Sequence, residues 1–187
     1  MKRRGWSILA GVALLAAAYG VTATIPSSEL VKAPFGVRGA IGDRIVSQPM
    51  IVTVNEVFLA DEVELDLWRG TTNGVWFVAD ATIAATVERE GVDVELYLDG
   101  VEYPSSSRAD SSTVDGSVVD PGFPMTGPIL IELPADVVDR PGARSAVLRI
   151  STGSDPRLDS VIELVIDLTQ LDTDGSVELE PTRPGER

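Results

Sequence analysis

The chain has no cysteine and no histidine, and only two lysines, Lys2 and Lys32, among its 187 residues. Without cysteine there are no disulfides, no thiolate nucleophiles and no lipid-bearing amino-terminal cysteine. The two absences together exclude imidazole bases, Ser-His-Asp triads and nearly every zinc or copper site, because those metals take sulfur and imidazole ligands. Scarce lysine leaves almost no amine nucleophile for the folded part. Missing cysteine does not decide the compartment, since a domain of this length can build a core without disulfides. Basic residues are also few, 15 against 29 acidic, and three of them, Lys2, Arg3 and Arg4, fall within the first 28 residues, which hold no acidic group. The rest of the chain sets twelve basic groups against all 29 acidic ones. Such a surface repels phosphate backbones and anionic headgroups, so no nucleic acid is expected as a partner.

What is present begins with "MKRRGWSILAGVALLAAAYGVTATIPSS", in which three cations precede twenty uncharged residues, Trp6 to Ile25. Twenty helical residues span about 30 Å, the thickness of a bilayer's hydrocarbon core. The expectation is a cytoplasmic terminus (1–5), a transmembrane helix or uncleaved signal anchor (6–25), and a juxtamembrane linker (26–44), with the C-terminal domain outside the cell. A cleaved signal peptide is the competing reading, with loose cleavage sites after Gly20 and Ala23.

Downstream the period changes to two. In "GVWFVADATIAATVE" (74–88), Val75, Phe77, Ala79, Ala81, Ile83 and Ala85 share one parity, while the other passes from Trp76 and Val78 to Asp80 and Thr82. That is a strand whose second face turns polar along its length. "MIVTVNEVFLA" (50–60) and "EVELDLW" (62–68) read as two further strands, with "RGTTNG" (69–74) as the turn before the long one. "VELYLDGVEY" (94–103) reads as a hairpin, because Asp99-Gly100 suits the positive φ angles of a type I′ turn. Residues 104–127 read as a long loop with a short strand near 116–119, "ADVVDRPGAR" as a helical turn, and "PILIELP" and "SAVLRIS" as strands. "SVIELVIDL" (160–168) fits a strand or a helical face, and its β-branched residues favour the strand. Gly36, Gly39 and Gly42 punctuate an edge strand, and 172–187 is expected to be an acidic flexible tail.

These elements predict an all-β fold, a β-sandwich over residues 45–171, preceded by the one membrane helix. "GVWFVADATIAATVE", "LYLDGVEYPSS", "DPGFPMTGPILIELP" and "DPRLDSVIELVIDL" together resemble the immunoglobulin-like sandwich domains of secreted or membrane-tethered actinobacterial proteins. The resemblance implies an antiparallel, extracytoplasmic immunoglobulin-like sandwich and transfers no site. The cysteine pair of immunoglobulin domains is absent, which leaves the strand order open.

Few side chains point to chemistry. Glu62, Glu64 and Asp66 place three carboxylates on one side of a strand, about 7 Å apart by strand rise. That spacing suits a glycosidase pair, although a charged solvent face that discourages edge pairing is the ordinary use. Asp172, Asp174 and Glu178 offer calcium oxygens, but Gly175 and Glu178 do not fall where an EF-hand loop needs them. No metal or other cofactor is expected. Trp68 and Trp76 read either as an aromatic platform for a partner or as residues closing the end of the core. Phe123, between Pro121 and Pro124, is either pinned inward or held out for a partner.

The expectation is a non-enzymatic interaction or accessory module tethered to the cell membrane, with a protein partner at the cell surface. Two alternatives remain open, a secreted binding protein and a carboxylate-dependent hydrolase of wall glycans. Cleavage would appear as a mature protein in the culture medium beginning near Val21 or Thr24, whereas a retained anchor leaves the intact chain in the membrane fraction.

Overall fold

The computed structural model describes residues 34–66, 68–153 and 159–185. The expected cytoplasmic terminus, the membrane helix and residues 26–33 of the linker lie outside them. Among the described residues no helix is long and apolar enough to cross a membrane.

Alternation produces thirteen strands among the described residues. They are β1 (Phe35–Gly39), β2 (Ile45–Val46), β3 (Met50–Leu65), β4 (Trp68–Ala85), β5 (Glu90–Gly91), β6 (Asp93–Leu98) and β7 (Val101–Pro104). Then follow β8 (Val118–Val119), β9 (Met125–Leu133), β10 (Ala146–Ser151), β11 (Ser160–Ile166), β12 (Thr173–Leu179) and β13 (Arg183–Pro184). One sheet has the order β1-β11-β10-β6-β7, and a second has β12-β3-β4-β9-β13 with β2 beside β3. The two-stranded β5-β8 ladder is separate.

The two larger sheets face each other across one core. Val52 and Val54 of β3, Phe77, Ala79, Ala81 and Ile83 of β4, and Ile129 and Ile131 of β9 meet Val94 and Leu96, Leu148 and Ile150, and Ile162 and Leu164 from the other sheet. All are essentially without solvent contact. This is a β-sandwich, and the inward parity read from 74–88 is the one it buries. Residues 160–166 are a strand, paired antiparallel with β10 from Ala146↔Ile166 to Ile150↔Ile162. Asp99 and Gly100, with φ of 52° and 76°, make the expected two-residue turn closed by Leu98↔Val101.

Four expectations need correction. The sandwich is not purely antiparallel, because β1 runs parallel to β11 and β12 parallel to β3. Both flanks are thereby drawn into sheets. Much of the supposed flexible tail is the strands β12 and β13, whereas Phe35–Gly39, inside the 26–44 segment, is the edge strand expected from its glycines. Residues 50–60 and 62–65 are one strand rather than two. Its turn lies between Leu65 and Trp68, which pair directly, so 69–74 is strand and not turn. Asp66 supplies the left-handed residue there, with φ of 54°.

The pairings also require the β3–β4 ribbon to fold back on itself. Leu179 pairs with Leu65 beside Trp68, whereas Arg183 pairs with Thr126, which pairs with Thr82. A flat β4 would put Trp68 and Thr82 about 46 Å apart, but the four steps from Leu179 to Arg183 span about 14 Å at most. The fold-back occurs where register breaks. Ala60 pairs with Trp76 and Glu62 with Thr71, so Asp61 alone stands opposite residues 72–75. Such bulges bend a ribbon and increase its twist. Gly74 sits at this corner, and a Cβ on it would collide with the carbonyl oxygen of Leu133. The folded-back end covers the outer face of its own sheet, where Ala60, Val63, Leu65, Trp76, Val78, Ala109 and Leu130 form a second core backed by Phe58, Trp68, Val177 and Leu179.

Gly74→Ala should therefore lower unfolding stability by about 2 kcal/mol, the usual cost of forcing volume into a packed site. Gly175→Ala, in open space on β12, should stay within about 0.5 kcal/mol of the parent. Urea midpoints with unchanged slope would measure both, and equal effects would contradict the corner.

Candidate functional site

The outer face of the sheet containing β3, β4 and β9 is divided by the fold-back. Its covered half contains the two tryptophans. Trp76 is completely buried and Trp68 half-buried, with ring centroids 5.9 Å apart and planes at 83°. The Arg108 guanidinium stands 5.4 Å from the Trp76 ring and 5.8 Å from Trp68. It donates to the Thr71 carbonyl at 3.0 Å and to Glu132 Oε1 at 3.1 Å. Cation–π contacts of this kind are worth about 0.5–2 kcal/mol. Arg108 thus ties the folded-back end, through Thr71 and Trp68, to the sheet beneath, through Glu132 and Trp76. The tryptophans are packing residues of the second core, and no open aromatic platform forms.

The uncovered half is a groove of about 470 Å³ lined by Arg44, Ile51, Thr53, Thr82, Ala84, Ala85, Gly122 and Pro124. Alternation explains the lining, because Ile51, Thr53, Thr82 and Ala84 are the outward residues of strands whose inward neighbours form the main core. The far wall is the 121–124 turn, held by an Arg89–Asp120 fork at 2.8 and 2.9 Å and by the Ala85↔Pro121 bridge. Phe123, flanked by the groove residues Gly122 and Pro124, is 63% exposed. Its ring is thus not pinned into the core. The structure therefore separates the three predicted residues, with Trp68 and Trp76 in the second core and Phe123 on the rim of the open half. Arg44, Thr53, Thr82 and Ala84 were missed by sequence reasoning. Their only signal is small or polar residues at outward parity, which also describes any solvent face.

The carboxylate candidates converge on nothing reactive. Arg69 bridges Glu62, at 3.3 Å, and Glu64, while Ser176 donates to Glu62. Asp66 is at the turn. Asp174 and Glu178 lie exposed on β12, and Asp172 gives its carbonyl to the Leu59 N–H, so the supposed calcium loop is an extended strand. Among the described residues no three His, Cys, Asp or Glu side chains are grouped to hold a metal.

A polar cluster occupies the outer face of the other sheet. The Tyr97 hydroxyl lies 2.7 Å from Glu95 Oε2 and 2.9 Å from Glu102 Oε2. Arg149 stacks on the Tyr97 ring at 4.4 Å and bonds Glu163 at 2.9 Å. A hydroxyl has one proton to donate, so the second carboxyl approaches it favourably only when protonated. Burial, opposed by the Tyr97 bond and reinforced by the Glu102 charge, holds Glu95 above the ordinary carboxylate range. Burial likewise raises Asp93, helped by Glu102, and raises Asp115 against its Val94 N–H bond. Burial and the bonds to Glu95 and Glu102 raise the Tyr97 phenol.

No family model matches the chain, and no curated protein does. Among solved structures, an uncharacterized β-sandwich protein from Clostridium difficile 630 is 18% identical, with a TM-score of 0.45 over 72% of this chain and 95% of that one. The yjhA protein from Bacillus subtilis is 15% identical, with a TM-score of 0.46 over 67% of this chain and 98% of that one.

The raised carboxyls set a sign for acid dependence. Groups whose folded values lie above their unfolded ones stabilise fully below about pH 4, the unfolded range, and lose that contribution as pH rises through the folded values. Asp120, lowered by its bond to Arg89, acts in the opposite direction but is solvent-screened. The melting temperature should rise as pH falls from 8 to 5, and Glu95→Gln should flatten that rise. A profile that climbs toward pH 8 would contradict the cluster's proton preference.

Proposed function

We propose that the protein is a non-enzymatic interaction module, anchored in the cell membrane by residues 6–25 and displaying an immunoglobulin-like sandwich outside the cell. The observation that carries this reading is the amino-terminal charge pattern, Lys2, Arg3 and Arg4 before twenty uncharged residues and no cation immediately after them. Cytoplasmic segments retain such cations, so the remaining chain is exported. The immunoglobulin-like assignment is supported by strand order. β11-β10-β6-β7 matches the G-F-C-C′ sheet of such domains, and β3-β4-β9 matches A-B-E.

Absence of enzymatic activity is supported by the side chains already described. Glu62 and Glu64 share one guanidinium on a ribbon with partial solvent access, so neither is isolated in the apolar pocket that poises a catalytic acid. The Phe123 rim and the adjoining groove offer the kind of partly apolar surface through which a partner would be held.

Because the chain has no cysteine, a single Val87→Cys on the 82%-exposed Val87 gives a reporter with no background. A membrane-impermeant maleimide should label it in intact cells, on protein that sediments with the membranes. Labelling only after lysis would overturn the exported reading, and labelled protein released to the medium would favour the secreted one.

A further inference from the structure

We propose that the groove beside Phe123 binds a small amphiphile with one anionic head on an apolar body, of the medium-chain carboxylate class. Its volume, about 470 Å³, falls among ligand pockets. Ile51, Ala84, Ala85 and Pro124 give it an apolar floor and wall, and no carboxylate is among its lining residues. The head is assigned by Arg44. Nine arginines are described, and Arg38, Arg69, Arg89, Arg108, Arg140, Arg149 and Arg183 each lie within 4 Å of a carboxylate. Arg44 and Arg144 have no such partner among the described residues, and of these two only Arg44 lines the groove. On so acidic a chain, a guanidinium left without a counter-charge beside an apolar trough is complementary to an anion that comes with its own apolar surface.

The trough is formed before any ligand arrives. The Arg89–Asp120 fork holds its 121–124 wall, the Gly185 N–H bonds the Pro124 carbonyl at 2.8 Å, and the Thr82 and Thr126 hydroxyls meet at 2.8 Å beneath. Little ordering remains to be done on binding. The occupant is a free molecule rather than a headgroup of an anionic bilayer, because an extended anionic face would meet the charge of the whole chain, 29 acidic against 15 basic residues, whereas one small anion in the groove meets Arg44. This assignment rests on the groove alone and holds whether or not the domain is tethered.

Octanoate, titrated calorimetrically into the full chain held in phosphatidylcholine nanodiscs and corrected with empty discs, tests it. One saturable site is expected, with octanol at least tenfold weaker. Arg44→Gln, at an exposed position, should weaken octanoate about tenfold while leaving the melting temperature unchanged. Ala84→Leu should abolish binding by filling the trough, and Ala84→Ser is the milder variant should the leucine not fold. Equal binding of octanol, or octanoate binding indifferent to both Arg44 and Ala84, would overturn the proposal. So would binding that appears only when the chain is cut after Gly185, or a dimer that Ala84→Leu dissolves, since the groove would then belong to the chain's own end or to a second copy.

Discussion

A ribbon buried on both faces is the constraint from which the rest of this structure follows. Residues 75–79 of β4 are all buried, yet strand side chains alternate between opposite faces. Val75, Phe77 and Ala79 are covered by the facing sheet. Trp76 and Val78 have no third sheet above them, so the ribbon supplies its own cover by turning back after Ala60 and before Thr72. The Asp61 bulge and the missing side chain of Gly74 permit that turn, while Arg108 and β12 hold it down. Removing a buried aromatic such as Trp76 or Phe77 typically costs about 3–5 kcal/mol. The corner therefore protects two cores, each anchored by one of two adjacent residues.

Where the cover stops, the outward residues change character. Asp80 is paired with Asn55, and Thr82 and Ala84 are small or polar. The open groove is thus the uncovered remainder of the same sheet face, bounded on one side by Arg44 just before β2 and on the other by the 121–124 turn. Packing and the candidate site are two consequences of one folded ribbon. The acidic excess has a similar double effect. Most of the described arginines are consumed by carboxylates, which leaves Arg44 conspicuous at the groove, and burial beside Tyr97 and the Glu102 charge raise Glu95.

Much of the sandwich is legible in the residues. The parity of Val75 to Ala85 and the Asp99-Gly100 turn each specify a local conformation without help from distant chain, and the β-branched Val161, Ile162, Val165 and Ile166 tip 160–168 from a helical face toward the strand that forms. What is not legible depends on distant partners. Arg69-Gly70-Thr71-Thr72-Asn73-Gly74 has the composition of a turn, but the pairing of Arg69, Gly70 and Thr71 with Glu64, Val63 and Glu62 draws it into a strand. β12 has only Val177 and Leu179 as apolar residues and reads as a tail, because its order comes from β3 rather than from its own propensity. Trp68 and Trp76 carry no mark that distinguishes a binding platform from a second core. The groove residues were hidden for the same reason, since outward parity alone does not say which outward face stays open.

Native-state amide exchange along β12 and the folded-back end of β3 tests the central claim most directly. If the ribbon is closed over Trp76, the amides of Val63, Leu65, Val177 and Leu179 exchange only with global unfolding, as slowly as those of Phe77 and Leu148. Exchange of these four at the rate of free peptide, while Phe77 and Leu148 stay protected, would show an open ribbon and contradict the account.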